Sequence, residues 1–255
     1  MASAKSLDGL PIISYFDLTN SSVKVIQCGS AACIGGNIVN TVDDTGALGR
    51  YASINVPAVG FPVISCSSSN NPTETATSAL KVAQCVDVGC TGAATLTVVY
   101  NLVTAVGRHC SMAISQDGFP VIRYYDGTNG NPKVAKCVNA TCAGATVTTI
   151  DGLVATDVGQ FTLIAMPVDG LPVISYFDAT NSDLSVMKCS VANCSAFSAP
   201  VTVDGTVPAA SDNSPSLPFP QMAFPSSPTS APPLSLLKLR SASMRDVPVP
   251  RWSRR

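Results

Sequence analysis

Short apolar runs alternate with polar turns along the first two hundred residues, and within each run apolar and polar side chains take turns with the period of a β-strand. The clearest run recurs as DGLPIISYFD from Asp8, GFPVISC from Gly60, DGFPVIRYYD from Asp117 and DGLPVISYFD from Asp169, with a fixed proline at Pro11, Pro62, Pro120 and Pro172. A polar turn and a second run ending in cysteine follow each copy: VKVIQC, LKVAQC, PKVAKC and LSVMKC. A third strand is read in IVNTVDD, TLTVVYN, TVTTIDG and PVTVDG, and a fourth in SINV, SMAIS and TLIAMP. Counted at Cys33, Cys90, Cys142 and Cys194, the unit recurs after 57, 52 and 52 residues. Four short strands in about fifty residues is the spacing of a propeller blade.

The expected fold is therefore all-β: a partial β-propeller of about four four-stranded blades. Its repeats run approximately over 6–57, 58–114, 115–166 and 167–212, each holding the second, third and fourth strands of one blade and the first of the next. The proline-bearing strand is expected at the centre of each blade. Blade one is expected to lack its first strand, because the chain opens directly on DGLPIISYF. Immunoglobulin-like sandwiches need seven or more strands in about 100 residues, and solenoid coils are shorter than this unit.

Charged residues make up 12% of the 255 residues against 46% hydrophobic, with a net charge of −1. Nothing basic invites nucleic acid, and no apolar stretch approaches the ~20 residues of a membrane span. No signal peptide is visible before the first strand.

Eight of the ten cysteines form four equally spaced pairs: Cys28/Cys33, Cys85/Cys90, Cys137/Cys142 and Cys189/Cys194. Pairs repeated once per unit suit disulfides, which persist outside the reducing cytosol. A tetrahedral zinc site would need two pairs brought together, and neighbouring blades hold equivalent turns apart. Disulfides without an export signal lead to the expectation of a fragment of a larger secreted, periplasmic or cell-surface parent. Cys66 stands where other copies have Tyr15, Tyr124 and Tyr176, and Cys110 where blade two has Ala52. Both are expected as buried free thiols, with a bridge between them as the alternative.

The repeat resembles the DG-x-P-x-I-S-Y-Y-D tandem repeats of bacterial secreted and surface proteins, which look like sialidase-type (BNR-like) propeller blades. The resemblance covers about residues 6 to 212 and implies a propeller. The Asp-box pattern S-x-D-x-G-x-T-W has no match here, so no catalytic role is carried over.

Candidate chemistry is sparse. Aromatic pairs at Tyr15/Phe16, Tyr124/Tyr125 and Tyr176/Phe177 sit on alternate strand faces, so one ring of each enters the core. The other, taken as Tyr15, Tyr124 and Tyr176, is the candidate ligand-facing ring for a glycan or protein partner. Asp178, Asn181 and Asp183 have alternate spacing that suits calcium, whereas an Asx-turn explains the recurring DLTN, DGTN and DATN without metal. His109 is the lone histidine, read as structural; Arg50, Arg108 and Arg123 are the only arginines before the tail, and Glu74 is the only glutamate. No cofactor motif and no catalytic constellation emerge, and the expected function is a non-enzymatic extracellular binding or scaffold module. The alternative is a non-catalytic part of a sialidase-like or other glycan-processing hydrolase.

Composition changes at residue 213: 213–255 hold nine of the nineteen prolines, the only tryptophan, Trp252, and no cysteine. A Pro/Ser/Arg-rich disordered tail is one reading. The other is a frameshifted fifth repeat. LPFPQMAFPSSPT from Leu217 to Thr229 has synonymous codons that, shifted by one base, spell AIPADGLPVISY, close to AMPVDGLPVISY at Ala165 to Tyr176.

Overall fold

The computed structural model describes residues 1–45, 48–68, 78–102, 106–151 and 158–204. The chain divides into two compact units, Met1–Pro215 and Ser216–Arg255, and every described residue belongs to the first. The tail with its proposed frameshift lies outside the described residues.

Among the described residues, sixteen antiparallel strands form four four-stranded sheets, each in simple sequence order. Sheet 1 holds β1 (Ala2–Lys5), β2 (Pro11–Asp17), β3 (Ser22–Gln27) and β4 (Ile38–Asp43). Sheet 2 holds β5 (Leu48–Asn55), β6 (Val63–Ser68), β7 (Ser78–Gln84) and β8 (Thr95–Leu102). Sheet 3 holds β9 (Val106–Ile114), β10 (Pro120–Asp126), β11 (Asn131–Cys137) and β12 (Ala145–Thr149). Sheet 4 holds β13 (Val158–Ala165), β14 (Val173–Asp178), β15 (Asp183–Lys188) and β16 (Val201–Asp204). This is the all-β, four-bladed arrangement the strand spacing predicts, with the proline-bearing strand second in each sheet and paired on both sides. The described residues contain no helix, hence none long and apolar enough to cross a membrane.

One expectation fails. Blade one does have a first strand: Ala2 to Lys5 pair antiparallel with Ser14 to Pro11. Ala-Ser-Ala-Lys has little intrinsic strand preference, but Ala2 and Ala4 pack against the core between sheets 1 and 2. Tertiary packing overrides local propensity.

Each turn type has a local cause. In the DG turns, Asp8, Asp117 and Asp169 accept the backbone N–H of Leu10 (3.0 Å), Phe119 (3.0 Å) and Leu171 (3.1 Å). The following glycines, Gly9, Gly118 and Gly170, take φ of +83°, +82° and +70°, which a side chain would resist. All four cysteine pairs are bonded. The second cysteine of each sits in the left-handed region, with φ between 52° and 57°, so the chain reverses tightly enough to bring the two sulfurs together.

Three apolar cores fill the gaps between successive sheets. Side chains alternate along each proline-bearing strand, giving every sheet an A face and a B face. Ile12 and Val25 on the B face of sheet 1 pack with Ile64 and Cys66 on the A face of sheet 2. Val63 and Val82 of sheet 2 meet Ile122 and Tyr124 of sheet 3, and Val121 and Val134 of sheet 3 meet Ile174 and Tyr176 of sheet 4. The second-sheet disulfide Cys85–Cys90, and its counterparts in sheets 3 and 4, lie in these same cores. Inner strands are also tied directly: Ser53 accepts the Met112 N–H at 3.1 Å, and Ser111 accepts the Ile164 N–H at 3.2 Å.

Candidate functional site

The inner strands of sheets 2, 3 and 4 share a short pattern: Gly49-Arg50-Tyr51, Gly107-Arg108-His109 and Gly159-Gln160-Phe161. Each aromatic stands eleven residues before the sheet's proline. The pattern marks a doubly bulged strand. Pairing shifts by one residue between Leu48/Arg50 and again between Arg50/Ser53 of β5. The same irregularities occur at Val106, Arg108 and Ser111 of β9, and at Val158, Gln160 and Leu163 of β13. A bulge re-aims the side chain it carries.

Here the re-aimed side chain is an aromatic ring, held at a costly backbone angle. Tyr51, His109 and Phe161 have φ of +56°, +48° and +44°, a region that bulky residues seldom occupy and that costs roughly 1–3 kcal/mol where they do. Surrounding contacts hold the bulges in place. The Cys110 thiol donates to the Tyr51 carbonyl across the sheet boundary. Ser67 Oγ donates to the Val106 carbonyl at 3.1 Å, and Thr162 Oγ1 donates to the Ser175 carbonyl at 3.2 Å. Arg123 Nη1 reaches from sheet 3 to the Gly159 carbonyl at 2.6 Å.

The three rings form one row across the sheet boundaries. Tyr51 and His109 have centroids 4.6 Å apart, as do His109 and Phe161. Two rings from the second strands support it: Tyr125 lies 6.3 Å from His109, edge-on, and Phe177 lies 6.5 Å from Phe161. Tyr125 is buried, His109, Phe161 and Phe177 are half-buried, and Tyr51 is 39% exposed. The row thus offers aromatic faces and edges, with the Tyr51 hydroxyl and the His109 ring nitrogens among them. Such a mixed surface is suited to a ligand with both C–H faces and hydroxyls.

The residues singled out from sequence fall elsewhere. Tyr124 and Tyr176 are both 0% exposed, on the A faces of sheets 3 and 4, and so present no ring to a ligand. The expectation erred in the direction of the strand faces: in sheet 3 the ring of the pair that approaches the row is Tyr125. Tyr15, on the A face of sheet 1, is half-buried. Asp178 accepts the Thr180 N–H (2.9 Å), the Asn181 N–H (3.1 Å) and the Asn181 side-chain amide (2.8 Å). Asn181 thus turns its NH₂, not its carbonyl, toward the carboxylate, and Asp178 and Asp183 face each other as hairpin partners. That is an Asx-turn rather than a calcium ligand set. Among the described residues no group of three or more His, Cys, Asp or Glu side chains is placed to hold a metal. Cys66 and Cys110 are free and buried. Cys66 and Ser65 are adjacent on β6 and so face opposite ways, and it is Ser65 that meets Cys110, at 3.6 Å. Burial raises both thiols, Cys110 to about 11.

Arg123 is the most unusual charge. It occupies the place held by Ser14, Ser65 and Ser175 in the other sheets, is fully buried, and lies 5.7 Å over the Tyr176 ring. Burial lowers its pKa to about 9. Tyr176 in turn donates to the Asp151 carboxylate, and burial, with that hydrogen bond, pushes its phenol well above the usual range.

No protein-family model and no curated protein matches the sequence. Solved structures do match in shape. An α-L-arabinofuranosidase from Lactobacillus brevis aligns with a TM-score of 0.52 at 10% identity, over 78% of this chain and 72% of that one. A bifunctional GH43-CE protein from Bacteroides eggerthii aligns at 0.46 and 11%, over 80% and 27% of the two chains. An exo-β-1,3-galactanase from Clostridium thermocellum aligns at 0.46 and 11%, over 79% and 50%. The arabinofuranosidase is a five-bladed β-propeller. The chain has the β-propeller fold, and at this identity the likeness defines the fold alone.

Proposed function

We propose that this protein is a non-enzymatic extracellular binding module that takes a glycan at the Tyr51–His109–Phe161 row. The carrying observation is that three successive inner strands spend the same strained bulge on placing an aromatic ring, and that the three rings meet. Pyranose and furanose rings present C–H faces to aromatic surfaces and hydroxyls to their polar edges, so an exposed tyrosine at the end of the row is a fitting first contact. Four disulfides fit an oxidising compartment.

Arabino-oligosaccharides are the first probe, because the arabinofuranosidase has a propeller of the same kind. Titration calorimetry on the whole chain is expected to show binding that Tyr51→Ala weakens at least tenfold, with the circular dichroism unchanged. Equal binding by the variant, or no binding to this probe or across a glycan array, overturns the reading.

The glycan-processing alternative is supported by the same neighbour. In that reading this chain is a non-catalytic part, and the pair of carboxylates that flanks the bound bond is supplied elsewhere in the hydrolase. Steady turnover of p-nitrophenyl α-L-arabinofuranoside by the purified chain would overturn both non-catalytic readings.

A further inference from the structure

A polar contact recurs at all three sheet boundaries and is independent of the aromatic row. Lys24, Lys81, Lys133 and Ser185 occupy the same place on the third strands, paired with Thr41, Val98, Thr149 and Thr202 of the outer strands. Two residues past each outer partner stand Asp43, Tyr100, Asp151 and Asp204. In every boundary that oxygen-bearing residue meets the A face of the next sheet. Asp43 lies 3.9 Å from Lys81, Tyr100 accepts from Lys133 at 3.0 Å, and Asp151 accepts from Tyr176. Where sheet 2 has Cys66 in place of the tyrosine, lysine makes the contact; where sheet 4 has Ser185 in place of the lysine, tyrosine does.

The two end faces carry the matching halves of this boundary. On the B face, Ile12, Val63 and Val121 are fully buried in sheets 1 to 3, as are Val25, Val82 and Val134. Their equivalents in sheet 4, Val173 and Val186, are only half-buried, and beside them Val201 and Val203 are 63% and 44% exposed. On the A face, Ile64, Ile122 and Ile174 are fully buried, whereas Ile13, Tyr15 and Ile26 of sheet 1 are half-buried. Lys24 stands beside Tyr15 with Asp17 at 2.6 Å, the same trio as Tyr124, Lys133 and Asp126, the latter two 2.8 Å apart.

We propose that the A face of sheet 1 and the B face of sheet 4 receive one further four-stranded sheet of this same pattern. Its B face, bearing Val or Ile and Ser, covers Ile13 and Tyr15, and an Asp or Tyr of its outer strand meets Lys24. Its A face, bearing Ile and Tyr, covers Val173 and Val186. Three copies of the boundary within the molecule define what such a face accepts. The five-bladed arabinofuranosidase is larger than the four described sheets by one.

Tyr15→Cys supplies the readout, because sheet 2 carries a cysteine at the equivalent place and buries it to 2% exposure. In the full chain this thiol is expected to react with iodoacetamide at a rate near that of an unfolded control. A second copy of residues 152–204 inserted after Asp204 is expected to slow it at least tenfold and to reduce dye binding by 1-anilinonaphthalene-8-sulfonate several-fold. Lys24→Glu in the extended chain should restore most of the reactivity while leaving the disulfides intact. Unchanged reactivity in an extended chain whose added cysteine pair is oxidised overturns the proposal. So does a Tyr15→Cys chain without the added copy that sediments as a dimer with its introduced thiol already protected, which makes a second copy of the protein the occupant.

Discussion

Gly159 shows how one missing side chain is tied to a distant charge. A Cβ built there would lie 2.3 Å from Arg123 Nη2 and 2.7 Å from Pro132, at a φ of +100°. Gly159→Ala is expected to cost about 2–4 kcal/mol, part strain and part clash. In a double-mutant cycle by urea unfolding, Arg123→Ser should recover about 1 kcal/mol or more of that loss, since it removes the clash but not the strain. Strict additivity would mean that the guanidinium does not set the requirement for glycine. Asp126 makes a second residue-scale test. Burial opposes its charge, but Lys133 and Asn129 outweigh it and hold the carboxyl below the ordinary carboxylate range. A carboxyl whose pKa is lowered by folding contributes stability above its unfolded value of about 4, and that contribution fades as the pH falls through the folded value. The urea midpoint should therefore fall between pH 5 and pH 3, and Asp126→Asn should flatten that fall. An equal slope in the variant would assign the acid sensitivity to other carboxylates.

At the scale of the element, the strands were legible because alternation, the fixed proline and the cysteine spacing all repeat. The bulged halves of the inner strands were not. Their residues, Leu48 to Tyr51, Val106 to His109 and Val158 to Phe161, share an aliphatic residue, a glycine and an aromatic, and a doubly bulged strand breaks the period of two by which strands are recognised. The constant eleven-residue distance from aromatic to proline was the available signal. The same break explains the misplaced aromatics, since alternation tells that two rings point apart but not which side is covered. The cysteine loops were read from spacing alone and are bonded. Closing so short a loop stabilises by about 2 kcal/mol on the chain-entropy estimate. Replacing Cys137 and Cys142 together by alanine is expected to lower stability by at least that amount, because both are buried in the core between sheets 2 and 3. Native protein treated with an alkylating agent at pH 8 should take up no label, denatured protein two at Cys66 and Cys110, and reduced denatured protein ten. Label on any of the eight paired cysteines before reduction would contradict the pairing.

Across the whole molecule, cohesion runs from sheet to sheet through one boundary used three times, its apolar centre constant and its polar contact exchanged between lysine and tyrosine. That exchange is compensation: a boundary that loses one partner keeps the other. Tyr176→Phe alone should accordingly lower stability more than Tyr176→Phe combined with Ser185→Lys, because Ser185 leaves sheet 4 with no lysine in reserve at the place where sheets 2 and 3 carry one. The comparison is made in thermal midpoints of the two variants, and a reversed order would reject the compensation. The disulfides of sheets 2, 3 and 4 have a further consequence because their cysteines lie inside these boundaries. A sheet whose cysteines are still reduced presents its neighbour with a loosely held loop where a fixed one belongs, so oxidation acts on assembly as well as on the local turn. In reducing surroundings the sheets are expected to adhere more weakly. Once oxidised, each of these three sheets becomes a finished surface for its neighbour.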